Sequence, residues 1–163
     1  MAYADTKAAI LTHALAAGAA LTVPITDVAI GFVALTVPIT DVAIGFASPK
    51  GRCIRIYWGG EIDPRHIGKR TLNSEMIGQR TIIGAFWPVT TLSTDQAAVI
   101  DAEMAALANE LRTRLDGDAQ LGGTQSDINL DLGTPDFVTI GSTRFLAVFW
   151  DVIGDYFEYT LGA

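Results

Sequence analysis

Between Ser93 and Gly117 lies the segment that most restricts what this chain can fold into. Ala97, Ile100, Met104, Leu107, Leu111 and Leu115 recur at spacings of three and four, which gathers them into one stripe on a helix. Ser93 and Gln96 have the spacing of a capping box, in which the serine oxygen and the glutamine side chain satisfy backbone N–H groups at the helix start. Arg112 and Arg114 stand near the negative end of the helix dipole, and Gly117 supplies a stop. The pattern predicts a helix from about Thr94 to Leu115. A helix with one apolar face must bury it against another layer of structure.

The flanking segments supply that layer. In Arg52–Trp58, Ile54, Ile56 and Trp58 fall on one strand face and Cys53, Arg55 and Tyr57 on the other, with Gly59-Gly60 expected to end the strand. A second strand is expected at Arg80–Val89, carrying Ile82, Ile83, Phe86 and Trp87, with Pro88 at its end or on an edge. After the helix come a Gly122-Gly123 turn, a strand at Ile128–Leu132 and a hairpin-like run from Phe137 to Tyr159. In that run Leu146, Val148, Trp150 and Val152 alternate with Phe145, Ala147, Phe149 and Asp151. A strand apolar on both faces is covered twice or partly buried against another subunit. A short helix is expected at Asp5–Ala17, where Asp5 can cap the start and Gly18 can stop it. Being short and alanine-rich, it needs a partner surface. The expected fold is a single domain, 1–163, of the α+β class: an antiparallel or mixed β-sheet with two helices packed on one face.

The segment Ala20-Leu-Thr-Val-Pro-Ile-Thr-Asp-Val-Ala-Ile-Gly-Phe32 returns unchanged as Ala34–Phe46, an offset of 14 residues. A single repeated pair is not a solenoid, which needs three or more units to bury its faces. Perfect identity points to a tandem duplication within 20–46 or to an error in the sequence, ahead of selection for two identical copies. Each copy suits a short or edge strand, and an even offset preserves strand parity, so either copy could fill the same slot. The other is expected to form an extra loop or hairpin.

Composition narrows function mainly by exclusion. Asp and Glu outnumber Lys and Arg by 18 to 11, for a net charge of −7. That argues against a general nucleic-acid binder, though not against a channel through which DNA passes. The lone Cys53 forbids an internal disulfide or a multi-cysteine metal site. Asp5 precedes Lys7, and Pro24, Asp27, Pro38 and Asp41 break the apolar N-terminal run, so neither a secretory signal nor a membrane span is expected and the chain reads as cytosolic when made. His13 and His66 lack partners at metal-ligand spacing. Asp116-Gly-Asp118 resembles the start of a calcium loop, but Leu121 stands where glycine is required, and a turn explains these aspartates better. Asp127, Asp131 and Asp136 offer no acid–base pair by spacing. No catalytic residue, cofactor or metal is expected, and the chain reads as a non-enzyme.

Charge is unevenly placed. Seven of the eleven basic residues (Lys50, Arg52, Arg55, Arg65, Lys69, Arg70 and Arg80) fall in 50–80, against Glu61, Asp63 and Glu75. That segment carries +4 and the rest of the chain −11. Its polar stretch 59–80 reads as a long charged loop or extended hairpin, a basic arm. Such an arm is either solvated, or bound to phosphate, or docked on the acidic body of the next copy, which would give head-to-tail contacts able to close a ring. Arg65, Lys69 and Arg70 are the candidate subunit or partner contacts.

The run Ala47-Ser-Pro-Lys-Gly-Arg-Cys-Ile-Arg-Ile-Tyr-Trp58, the charged loop, Ile77-Gly-Gln-Arg-Thr-Ile-Ile-Gly-Ala-Phe-Trp-Pro88 leading into a capped helix, and the closing Thr143-Arg-Phe-Leu-Ala-Val-Phe-Trp-Asp151 together resemble the tail terminator, or tail completion, proteins of long-tailed bacteriophages. The duplication departs from that pattern. The resemblance implies a structural virion protein forming a hexameric ring at the head–tail interface, assembled in the host cytoplasm. It would cap the tail tube and join it to the head–tail connector protein. It implies no catalysis, no cofactor and no membrane, with DNA passing through the lumen without specific binding. Another head–tail connector, head-completion or tail tube subunit would share these features. A small-ligand-binding or enzymatic α+β domain would require a pocket with converging polar groups.

Overall fold

The computed structural model describes residues 3–30, 51–66, 73–89, 93–123 and 127–160. Helix α1 (Tyr3–Ala19) is followed by strands β1 (Asp27–Ile30), β2 (Cys53–His66) and β3 (Asn73–Pro88). Helix α2 (Thr94–Asp116), a 3₁₀ turn (Leu121–Gly123), β4 (Asp127–Leu132), β5 (Asp136–Ile140) and β6 (Thr143–Thr160) complete the order. The strands form one mixed sheet in the order β1-β2-β3-β6-β4, with β5 also paired to β6. Among the described strands only β1 and β2 pair in parallel. β4 and β5 take successive stretches of the same β6 edge, with Leu132 opposite Trp150 and Asp136 opposite Ala147.

The two helices and one face of this sheet enclose the main core. Ile10, Ala14 and Ala17 of α1 and Ile100, Met104, Leu107, Leu111 and Leu115 of α2 pack with Ile54, Ile56, Ile83, Ala85, Trp87, Val148, Trp150 and Val152. Within each strand these residues occupy alternate positions, as one face of a pleated sheet requires. The opposite face carries a smaller cluster of Cys53, Phe86, Ile140, Phe145 and Ala147, with Val138 and Phe149 packed against it. Phe86 meets Phe145 and Phe149 edge-on, at centroid distances of 6.1 and 5.7 Å, the arrangement favoured by the ring quadrupoles. The two-faced apolar pattern of β6 therefore reflects two clusters within this chain.

Two expectations are corrected. Gly59-Gly60 does not end the second strand: β2 continues to His66, and the register slips between Trp58 and Gly60. Gly60 has φ +103°, a conformation open to glycine, so the pair forms a bulge and the ladder resumes. A second register shift falls between Ile62 and Arg65, where Pro64 lacks an N–H to donate. Gly18 does not stop α1, which runs to Ala19. A Cβ there would lie 2.8 Å from the Ile25 carbonyl oxygen, so glycine allows the following chain to close on the helix. Within 59–80, residues 61–66 and 73–79 form an antiparallel strand ladder, the extended-hairpin alternative rather than the loop, and 67–72 lie outside the described residues. The second repeat copy, 34–46, also lies outside them, whereas residues 27–30 of the first supply β1.

α2 starts as its cap predicts: the Gln96 N–H donates to Ser93 Oγ at 3.2 Å. At its other end Gly117 keeps a right-handed conformation, φ −72°, and the positive φ angles fall at Leu121, Gly122 and Gly123 instead.

Candidate interaction surface

Ile54 and Ile56 are buried in the main core, whereas Trp58, next on the same face, is 56% exposed where β1 no longer flanks β2; Thr81 and Val152, in line with Trp58 across the sheet, remain buried. Beyond that point β2 continues to His66, paired with β3, and β3 stays paired with β6 from Asn73 opposite Thr160. At about 3.3 Å per residue, the ladder from Trp58 to His66 extends roughly 25 Å. Strands of 14, 16 and 18 residues exceed the usual length of roughly 3–10. β4 flanks β6 as far as Asp127 opposite Asp155, level with Ile62, and past that point β2, β3 and β6 continue as a three-stranded ribbon. Arg65 lies on this ribbon, opposite Met76. Its side chain, together with Lys69 and Arg70, lies outside the described residues.

Three other basic residues of the 50–80 segment are committed internally. Arg55 makes a paired contact with Asp27, Nη1 to Oδ1 at 2.7 Å and Nη2 to Oδ2 at 2.9 Å. Arg52 Nη1 lies 3.0 Å from Glu103 Oε2, and Arg80 Nη2 lies 2.6 Å from Asp151 Oδ2. All three carboxylates come from outside the segment. Setting those three pairs aside leaves Lys50, Arg65, Lys69 and Arg70 against Glu61, Asp63 and Glu75, so the excess falls from +4 to +1. The spacing of charges along the sequence concealed this cancellation, because each partner is distant in the chain.

On the sheet face away from the helices, Asp131 of β4 pairs directly with Asp151 of β6. Like charges placed opposite one another destabilise a sheet, and the Arg80 contact to Asp151 offsets that repulsion. Burial raises the Tyr57 hydroxyl's pKa, with Asp151 adding to the rise and Arg80 opposing it.

A shallow groove of about 360 Å³ lies between the end of β3 and the first turns of α2, lined by Arg52, Trp87, Pro88, Val99 and Glu103 among others. Its polar centre is already satisfied. Glu103 Oε2 accepts from Trp87 Nε1 at 2.7 Å and from Arg52 Nη1 at 3.0 Å, while Arg52 also donates to the carbonyls of Val23 and Pro24. This node joins the first repeat copy, β3, α2 and the chain leading into β2.

The His13 and Cys53 side chains have structural surroundings, while that of His66 lies outside the described residues. His13 Nε2 lies 2.8 Å from Asp118 Oδ2, tying α1 to the turn after α2. The other Asp118 oxygen accepts from the Gly122 N–H at 2.9 Å. The Gly122 N–H first, and then His13, hold the Asp118 carboxyl below its ordinary pKa, as hydrogen bonds to the ionised form do. Asp118 thus organises the turn expected from Asp116-Gly-Asp118. Cys53 is fully buried, and burial pushes its thiol up to about 11, with Arg55 opposing the rise. Such a thiol is a poor nucleophile at neutral pH. Among the described residues, no group of three or more His, Cys, Asp or Glu side chains is placed to hold a metal ion. Among those residues, too, no helix is long and apolar enough to cross a membrane. The chain matches no protein-family model and no curated protein.

Proposed function

We propose that this chain is a non-catalytic subunit of a ring at a bacteriophage head–tail junction, capping the tail tube and joining it to the head connector. The observation that carries this reading is the long ladder of β2, β3 and β6, which continues past the last β4 pairing at Asp127 and bears the exposed Trp58 on its β2 edge. The three-stranded part past Ile62 adds about 13 Å for contact with a neighbouring subunit, and Trp58 is an aromatic residue of the kind that anchors interfaces. Arg65, Lys69 and Arg70 are the proposed contacts, on a neighbouring subunit or on the tail tube protein. Because the local charge excess is only +1 after internal pairing, shape and apolar contact contribute more to association than net charge. The chain's overall −7 suits a lumen through which DNA slides without specific phosphate contacts.

Light scattering coupled to size separation, followed by electron microscopy, tests this directly. The expected species is a hexameric ring, or a monomer that forms a ring at the end of added tail tubes. A monomer that ignores tubes at all concentrations refutes the reading. Reversing Arg65, Lys69 and Arg70 to glutamate is expected to weaken assembly; unchanged assembly removes those residues from the contact.

A further inference from the structure

Two features on the helical side of the sheet have opposite shapes. Trp58 stands on β2 and is 56% exposed. At the end of β3, the groove of about 360 Å³ has an apolar floor of Trp87, Pro88, Val99 and Ile100, and Val99 is itself 59% exposed. Asp95 and Gln96, both exposed, add side-chain oxygens at its rim. An indole matches each part of this site. Its rings suit the apolar floor, and its N–H can donate to a rim oxygen, as a tryptophan leaving water requires. The volume is near the lower end of small-ligand sites, roughly 300–1,000 Å³, which suits one large side chain. Phe137 is also exposed, but its ring is held under the Arg144 guanidinium at 4.2 Å.

Trp58 cannot reach the groove of its own chain. It lies opposite Thr81, six residues before Trp87 on β3, a separation of about 20 Å along the strand. We propose that Trp58 of one copy seats in the groove beside α2 of the next, so that two unlike surfaces of the same chain meet head to tail. Each copy then offers one tryptophan and one groove, and such contacts propagate until the rotation closes them into a ring. Closure into a ring rests on the function proposed above, whereas the contact itself needs only two copies. Ala98, Ala102 and Ala106, exposed beside Val99 on α2, let the neighbour approach closely, because they carry neither bulk nor charge to desolvate.

The test uses the full chain and light scattering coupled to size separation. Trp58→Ala removes the anchor and keeps the groove, while Val99→Glu spoils the groove and keeps the anchor. Both positions are exposed, so each variant should unfold in urea at the wild-type midpoint. If Val99→Glu lowers that midpoint, Pro88→Glu, at a second exposed position of the groove, takes its place. Each variant alone should associate about thirtyfold more weakly than wild type, or worse, as loss of an interface anchor does. Mixed in equal amounts, the two can form a single intact contact and should yield a 1:1 dimer that grows no further. A mixture no larger than its separate components overturns the proposal. So does a Trp58→Ala chain that assembles like wild type, a result that leaves the ring standing on other contacts. A wild-type chain that stays monomeric at every concentration also overturns the contact, and the ring reading then survives only if added tail tubes induce assembly.

Discussion

Replacing Glu103 with alanine is expected to destabilise the fold by about 2–3 kcal/mol, through a buried donor rather than a lost surface ion pair. Trp87 is 1% exposed and its indole N–H donates to Glu103 at 2.7 Å. Deleting the acceptor leaves that N–H unsatisfied, at a cost of about 1–3 kcal/mol. Arg52 loses the same carboxylate but keeps the Val23 and Pro24 carbonyls. Its half-buried pair adds no more than about 1 kcal/mol. For a chain of this size the total lowers Tm by roughly 5–10 °C. Urea unfolding followed by far-ultraviolet circular dichroism measures the loss, provided that the slope with denaturant is unchanged. Glu103→Gln retains an acceptor for the indole and should recover at least half of the loss. A cycle with Trp87→Phe should show about 1–2 kcal/mol of coupling. If alanine and glutamine variants lose the same stability, or alanine loses less than about 0.5 kcal/mol, the indole–carboxylate contact does not have the assigned role.

Gly18→Ala should destabilise the protein despite alanine's better helix propensity, because the new Cβ meets the Ile25 carbonyl oxygen at 2.8 Å; a gain in Tm would contradict this. Leu111→Ala, at a fully buried position, should cost about 2–5 kcal/mol in the same unfolding assay. The Cys53 thiol, raised from 9.0 to about 11 on folding, contributes stability that is complete below about pH 9 and is lost as pH rises towards 11, because the unfolded chain releases its proton first. Cys53→Ala should flatten that alkaline decline, and the native thiol should react with a disulfide reagent only after unfolding. Among the described residues Trp150 Nε1 is buried without a hydrogen-bond partner, so Trp150→Phe should cost less than Trp87→Phe, since the first substitution removes an unsatisfied donor and the second removes a hydrogen bond that Glu103 accepts.

Local chemistry made some of this architecture legible. The stripe from Ile100 to Leu115, the Ser93 cap and the alternation in 145–152 each express a period or a bonding pattern imposed by backbone geometry. A correct reading therefore required no knowledge of the partner surface. The turn at Asp116-Gly-Asp118 was legible for a related reason, as aspartate bonds nearby backbone groups. The Gly59-Gly60 bulge is not legible in the sequence, because a glycine pair signals a break in regular geometry without specifying whether the ladder stops or resumes. Only pairing with β3 decides between those outcomes.

The sequence by itself determined the α+β class, the principal helix and the two alternating faces of the strands, all governed by contacts within a few residues or by side-chain period. Tertiary structure decided how far the strand ladder runs and that Arg52, Arg55 and Arg80 are paired within the chain. Arg52, Arg55 and Arg80 meet carboxylates 51, 28 and 71 residues away, and no local pattern encodes such meetings. They arise because the sheet and helices bring distant segments within hydrogen-bond reach, where Coulomb attraction and partial burial select the pairs.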